Sequence, residues 1–219
     1  MIVAIDGPAG VGKSTVAKLL ASRLGFLYLD TGALYRSVGL AVLHHGIQPG
    51  DEKAVGGLLP KLSLQIQIEN NTVHVSFNGK DVTGELRTPA VSAAASIVSA
   101  IPAVRAWLLP VQRQIGEKGS VVAEGRDVGT KVFPAAPVKF FLEADPTVRA
   151  ERRHRELVAA GHGAAIEQTS AELAGRDNRD RSRSAAPLVA AEDAHHIDTS
   201  RLSAEEVVNR MLAVVTAKL

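Results

Sequence analysis

Residues 2–5 form an unbroken apolar run. A glycine-rich turn follows, and then Val16, Leu19, Leu20 and Leu24 recur at helical spacing. A short run without polar alternation fits a strand buried on both faces, and the i, i+3, i+4 spacing fits one face of a helix. Gly25 is the expected stop. Residues 26–29 predict a second strand, ending at Asp30-Thr31-Gly32, and the helix after it reaches about His45. Residues 120–124, 138–142 and 195–198 read as further strands, each followed by a loop and a helical pattern. Asp145-Pro146 supplies an N-cap and a first helical position, and Ser203 with Glu206 forms a capping box. Strands alternating with helices predict an α/β fold whose parallel sheet is covered on both faces.

One stretch breaks the rhythm. Leu62, Leu64, Ile66 and Ile68 alternate with polar residues, and Val73, Val75 and Phe77 alternate again. Asn70-Asn71 and Asn78-Gly79 are turn signals between and after them. This predicts a small antiparallel meander with one wet face, inserted over about 62–90. The chain then divides into core (1–61), insert (62–90), core (91–148), an arginine-rich segment (149–183) and a closing strand and helix (184–219).

Composition narrows the function classes. The 219 residues include no cysteine, which excludes disulfide scaffolds, thiolate metal sites and a cysteine nucleophile. The hydrophobic fraction of 46% against 22% charged residues indicates a globular chain. No apolar run approaches the roughly 18 residues of a spanning helix, and the first residues carry no basic leader; a cytoplasmic monomer without a membrane partner is expected. A net charge of +2 gives no general case for nucleic-acid binding. The distribution says more. Eight of 16 arginines lie between 149 and 183, with no lysine and with six acids. Arginine without lysine suggests forked recognition of phosphate or carboxylate, although i,i+4 ion pairs on a solvated helix remain the competing reading. Left without a bound polyphosphate, such a segment is expected to repel itself and stand open.

Gly7-Pro8-Ala9-Gly10-Val11-Gly12-Lys13-Ser14, followed by Thr15, satisfies G-x-x-x-x-G-K-[ST] between a buried strand and a helix. Glycines let backbone N–H groups curl around phosphate oxygens, the helix N-terminus adds partial positive charge, and Lys13 reaches the β and γ phosphates. Ser14 is the candidate contact for Mg²⁺. The pattern indicates a nucleoside triphosphate site and is silent about the acceptor.

Asp30-Thr31-Gly32-Ala33-Leu34-Tyr35-Arg36 resembles the D-[ST]-G-A-x-Y-R motif of bacterial cytidylate kinases. Residues 81–88 (DVTGELRT), 124–130 (EGRDVGT) and 176–183 (RDNRDRSR) agree with that family in the right order. Ser14 stands where some relatives have glycine, and Glu124 where some have aspartate. The resemblance implies a P-loop nucleoside-monophosphate kinase fold: a five-stranded parallel sheet flanked by helices, a small antiparallel insert, and a lid over 149–183. It implies phosphorylation of CMP or dCMP by ATP with Mg²⁺. Arg36, Arg126 and Arg183 would grip the acceptor phosphate, and Thr31 would belong to the CMP site. Lys13, Arg152, Arg179 and Arg181 would serve the ATP side and the transferring group. Arg176 and Asp180 would hold the ribose, and Ser96, Arg105 and Asp127 the base.

An aspartate can accept from the N4 amino group of cytosine, and an arginine can donate to N3 or O2. Taken alone, Ser96 is a small residue in an alanine-rich helix and Arg105 a surface arginine. Other P-loop kinases, acting on UMP, dTMP or shikimate, remain the alternative, as does a nucleotide-dependent binding switch. His44-His45 and His195-His196 do not face one site in either case, and Trp107 sits in an apolar helical pattern.

Overall fold

The computed structural model describes all residues except 70, 71, 78 and 164, so the turns expected at Asn70-Asn71 and at Asn78 lie outside the described residues. In chain order the elements are β1 (Ile2–Asp6), α1 (Lys13–Leu24), β2 (Leu27–Asp30), α2 (Thr31–His44) and α3 (Glu52–Leu58). Then come β3 (Leu64–Glu69), β4 (Thr72–Phe77), β5 (Lys80–Asp81), α4 (Pro89–Val98) and α5 (Pro102–Glu117). The chain closes with β6 (Val121–Gly125), β7 (Val138–Glu143), α6 (Pro146–Ala159), α7 (Ile166–Ser182), β8 (His195–Asp198) and α8 (Ala204–Thr216).

Five strands form one sheet in the order β2-β6-β1-β7-β8, and each pairing is parallel. Ile5 of β1 stands opposite Glu124 of β6 and Phe140 of β7. Val3, Ala4 and Ile5 have no exposed surface, as an unbroken apolar run in a doubly covered sheet requires. Val16 and Leu20 of α1 with Val207 and Met211 of α8 fill one face. Ile115, Val128, Val132 and Phe133 fill part of the other. A further core joins α2, α3, α4 and α5, with Trp107 half-buried against it. Among the described residues no single helix is long and apolar enough to cross a membrane, and α4 and α5 meet at a 101° bend.

β3, β4 and β5 form a separate antiparallel sheet. Gln65 and Gln67 are exposed while Val75 is buried, which is the wet face and dry face that alternation predicts. Val75 packs with Val82, Leu86 and Leu40, fixing the insert to α2.

Candidate active site

The parallel strands converge at their carboxyl ends, where a doubly wound sheet leaves a crevice. β1 ends at Asp6, β2 at Asp30 and β6 at Gly125, and the glycine-rich loop leaves β1 beside β6. Gly10 has φ +77°, and a Cβ there would stand 2.9 Å from the backbone oxygen of Arg149. Only glycine takes that conformation and that approach together. The loop opens on a cavity of about 1110 Å³, counting space open to solvent, lined by Ala9, Gly10, Gly12, Lys13, Ser14 and Thr15. Gly7 and Pro8 are buried behind it.

Lys13 is 6% exposed and donates to the Pro8 carbonyl oxygen at 2.6 Å. Burial, reinforced by the neighbouring Arg126, pushes its ammonium well below the usual lysine range. The exposed Ser14 lines the cavity together with the buried Glu124, and its hydroxyl favours the ionised form of that carboxyl. Glu124 also accepts from Tyr28 Oη at 2.7 Å, and burial followed by Asp30 raises its pKa. Thr31 Oγ1 donates to the Glu124 carbonyl oxygen at 2.7 Å, tying α2 to β6.

Arg36, Arg126, Arg176 and Arg183 all line the same cavity. Arg36 Nη2 donates to Asp30 Oδ2 at 2.6 Å, and Asp30 caps α2 by accepting from Ala33 N at 3.0 Å. Burial works against the Asp30 charge, but Arg36 and the Ala33 N–H outweigh it and hold the carboxyl below its usual range. Arg126 Nε donates to Asp180 Oδ2 at 2.8 Å. Asp180 is likewise penalised by burial, yet Arg126 and Arg176 keep its pKa low. Burial, followed by Arg126, pushes Arg176 down to about 10, and its Nε is buried without a partner.

Asp127 stands on the α4 and α5 side of the cavity. Its Oδ2 accepts from Arg105 and its Oδ1 from Arg183 Nη2 at 3.3 Å. Burial nonetheless raises its pKa. Arg105 also donates to the Ser99 carbonyl oxygen at 3.0 Å and lies 5.4 Å from the Tyr35 ring centroid. Ser96 is buried at the cavity wall and accepts from Arg179 Nε at 3.2 Å.

Not every expected residue lines this cavity: Arg105 and Arg179 stand behind Asp127 and Ser96, Val11 faces a second cavity, and Arg181 and Arg152 lie elsewhere. Arg181 is exposed on α7 and does not line it, because Arg176, Asp180 and Arg183 share one helical face and 181 points elsewhere at 3.6 residues per turn. Arg152 lies behind the loop, in a second cavity with Gly10, Val11, Gly12 and Thr15, where its guanidinium donates to Thr199 Oγ1 at 3.1 Å and Thr199 O at 2.7 Å. Arg153, its neighbour on α6, faces the main cavity instead. Within 149–183, Arg149 pairs with Asp177 and Arg183 with Asp127, while Arg176 has no ion pair among the described residues and Arg153 contributes to lowering its pKa.

Asp6 was not among the expected site residues. It accepts from Val128 N at 2.8 Å and Gly129 N at 2.7 Å, fixing the wide helical turn Val128–Val132 that follows β6. Burial pushes its carboxyl up to about 6. A charged residue ending an otherwise apolar strand was the available signal.

A phosphate-cradling loop leaving the middle strand of a parallel sheet, with five arginines lining the cavity it opens on, defines a P-loop nucleotide kinase. The sequence profile of the cytidylate kinase family matches residues 3–217. The cytidylate kinase of Geobacter sulfurreducens is 48% identical over 215 residues, covering 98% of this chain and 92% of that one. That of Solibacter usitatus is 48% identical over 221 residues, covering 100% and 94%. That of Mycobacterium leprae is 47% identical over 216 residues, covering 98% and 95%. A crystal structure of an uncharacterized protein from Eubacterium ventriosum shares the fold, with a TM-score of 0.57 at 12% identity over 99% of this chain and 98% of that one. The chain belongs to the cytidylate kinase family.

Proposed function

We propose that this chain transfers the γ-phosphoryl group of ATP to CMP or dCMP. The observation that carries this reading is the pairing of two unlike walls around one cavity. A phosphate loop with Lys13 faces Arg36, Arg126, Arg176 and Arg183, while Ser96 and Asp127 stand at the far side beside Arg105. Phosphoryl transfer asks little covalent chemistry of a protein; it requires charge neutralisation and in-line placement. In this reading the loop and Lys13 hold the donor, Arg36, Arg126 and Arg183 hold the acceptor phosphate, and Arg176 with Asp180 holds the ribose. Asp127 accepts from the cytosine amino group while Arg105 donates to the ring. The insert belongs to the acceptor side, and residues 149–183 close over the donor.

The Ser14 hydroxyl with the Glu124 carboxylate behind it offers hard oxygen donors, and Mg²⁺ takes such donors together with substrate phosphates. When bound, the ion neutralises charge on the phosphate oxygens. Thr31 and Tyr28 keep Glu124 in place by their hydrogen bonds to its backbone and side chain.

The test is ADP production from MgATP across CMP, dCMP, UMP, AMP, dTMP and shikimate. The two cytidine nucleotides should be turned over well ahead of the rest. Preference for any other acceptor, or steady hydrolysis without one, rejects the proposal.

A further inference from the structure

Arg149 and Asp177 stand behind the cavity wall, 7% and 4% exposed, and line none of the open space. Arg149 belongs to α6 and Asp177 to α7. Arg149 Nη1 donates to Asp177 Oδ2 at 2.5 Å and to the Ala9 carbonyl oxygen at 3.1 Å. The same nitrogen therefore touches the phosphate loop and the helix that carries Arg176, Arg179, Asp180 and Arg183. The backbone of Arg149 also presses on the loop, with its carbonyl oxygen 2.9 Å from the place a Cβ on Gly10 would take. Around the pair, Ala9 packs with Ala150 of α6 and Leu173 of α7. Leu173, Asp177 and Asp180 lie on the buried stripe of α7, and Asp180 holds Arg126 at the end of β6. The helix is thus pinned at two points one turn apart, one to the loop and one to the sheet.

The pair is poorly built for stability alone. Arg149 Nε and Asp177 Oδ1 are both buried with no partner, so each keeps a desolvation cost. Buried ion pairs are weak stabilisers in general, and apolar side chains of similar volume often replace them without loss. What the ion pair supplies and an apolar pair does not is a directed grip on the Ala9 carbonyl.

We propose that Arg149 and Asp177 are positioning residues: their ion pair fixes the phosphate loop against α7, so that the helix's arginines meet the phosphoryl group the loop presents. This rests on the phosphoryl-transfer reading of the site, and the wild-type protein separates the two. A wild type that does not phosphorylate CMP fails that reading; an active wild type with indifferent variants fails this one.

The experiment compares wild type with Arg149→Met/Asp177→Leu and with Asp177→Asn, measuring kcat, KM for MgATP and for CMP, and thermal unfolding. The double variant should fold with a Tm near that of wild type and keep KM for MgATP within about threefold. Its kcat should fall about 10- to 100-fold, because a misplacement near 1 Å costs that order in rate. Asp177→Asn keeps an acceptor for Arg149 and should lose less. A folded double variant with wild-type kcat overturns the proposal. So does a kcat loss matched by an equal rise in KM for MgATP, which would mean that the loop itself had collapsed. If the double variant does not fold, Asp177→Asn decides: a kcat loss of threefold or more at unchanged KM for MgATP supports the brace, and anything less rejects it.

Discussion

Replacing Asp127 by Asn tests the base-reading wall most directly. Asp127 is 5% exposed, its two oxygens are taken by Arg105 and Arg183, and it can only accept while ionised. Asn keeps the shape and removes the charge. A hydrogen bond to a charged group contributes about 1.5–3 kcal/mol, and each ~1.36 kcal/mol is tenfold in rate. kcat/KM for CMP should therefore fall on the order of 10- to 100-fold. UMP should fall little or gain, because the carboxamide can turn its NH₂ toward the uracil carbonyl. The substitution also leaves Arg105 and Arg183, 11% and 4% exposed at their side chains, without a shared counter-charge. Breaking a buried pair costs up to about 3–5 kcal/mol, so Tm should drop as well. The two effects separate cleanly, since the CMP to UMP ratio is independent of the folded fraction. Steady-state kinetics on both monophosphates supply the assay, with Arg36→Ala as the variant expected to damage both alike. If Asp127 only balances the two arginines, CMP and UMP will fall together, and an unchanged ratio refutes the base-reading role.

Lys13→Ala should lower turnover by about 10²–10⁴, and a variant keeping a tenth of wild-type activity would remove the loop lysine from the chemistry. Because the Lys13 pKa is depressed in the folded state by burial and by Arg126, the unfolded chain holds more protons above that depressed value. Ligand-free wild type should therefore gain stability as pH rises toward the ordinary lysine range, and urea unfolding of the variant should lack that gain. Asp6 has the opposite sign: its pKa is raised from 3.8 to about 6, so the folded state holds more protons in that window. Stability should decline by up to about 3 kcal/mol as pH rises through it; Asp6→Asn should flatten this decline, and parallel curves would refute the assignment. Gly39→Ala places a Cβ 2.9 Å from the Ala95 backbone nitrogen, where α2 crosses α4. The crowding, about 1–3 kcal/mol, should outweigh the ~1 kcal/mol gain in helix propensity, and a Tm at or above that of wild type would show that α4 yields.

What the sequence makes legible follows from the range of the interactions. β1 and the loop after it are readable because an apolar run, three glycines and a lysine all lie within 14 residues of the start. The insert is readable because alternation at Gln65 and Gln67 is local. The orientation of α7 is not, since it depends on which residues pack inward. Leu173, Asp177 and Asp180 do, which turns Arg176 and Arg183 toward the cavity and Arg181 away from it. Two of those buried positions are charged, so hydropathy points to the wrong face. The partner of Arg152 is not legible either: one residue along a helix is 100° of rotation, and Thr199, 47 positions away, accepts from Arg152 while Arg153 faces the main cavity.

The interleaved acids of 176–183 have a physical reason once the pairs are known. A run of arginines built only for phosphate would repel itself in the free protein, and burial would drive its guanidinium groups apart. Here Asp30, Asp127 and Asp180 stand in for phosphate, holding Arg36, Arg183 and Arg126 within the cavity wall. The geometry is thus prepared before any nucleotide arrives, and binding becomes an exchange of counter-ions in place of a first neutralisation. Such an exchange returns less affinity than bare arginines would, but it spares most of the ordering cost that flexible cations carry into a complex. Arg176 is the exception: among the described residues it has no ion pair, its Nε is unpartnered, and its pKa of about 10 leaves it charged at neutral pH. Of the arginines lining the cavity, Arg176 is thus the one with no direct ion pair among the described residues, and the nearby Asp180 offsets only part of what burial and Arg126 take from it.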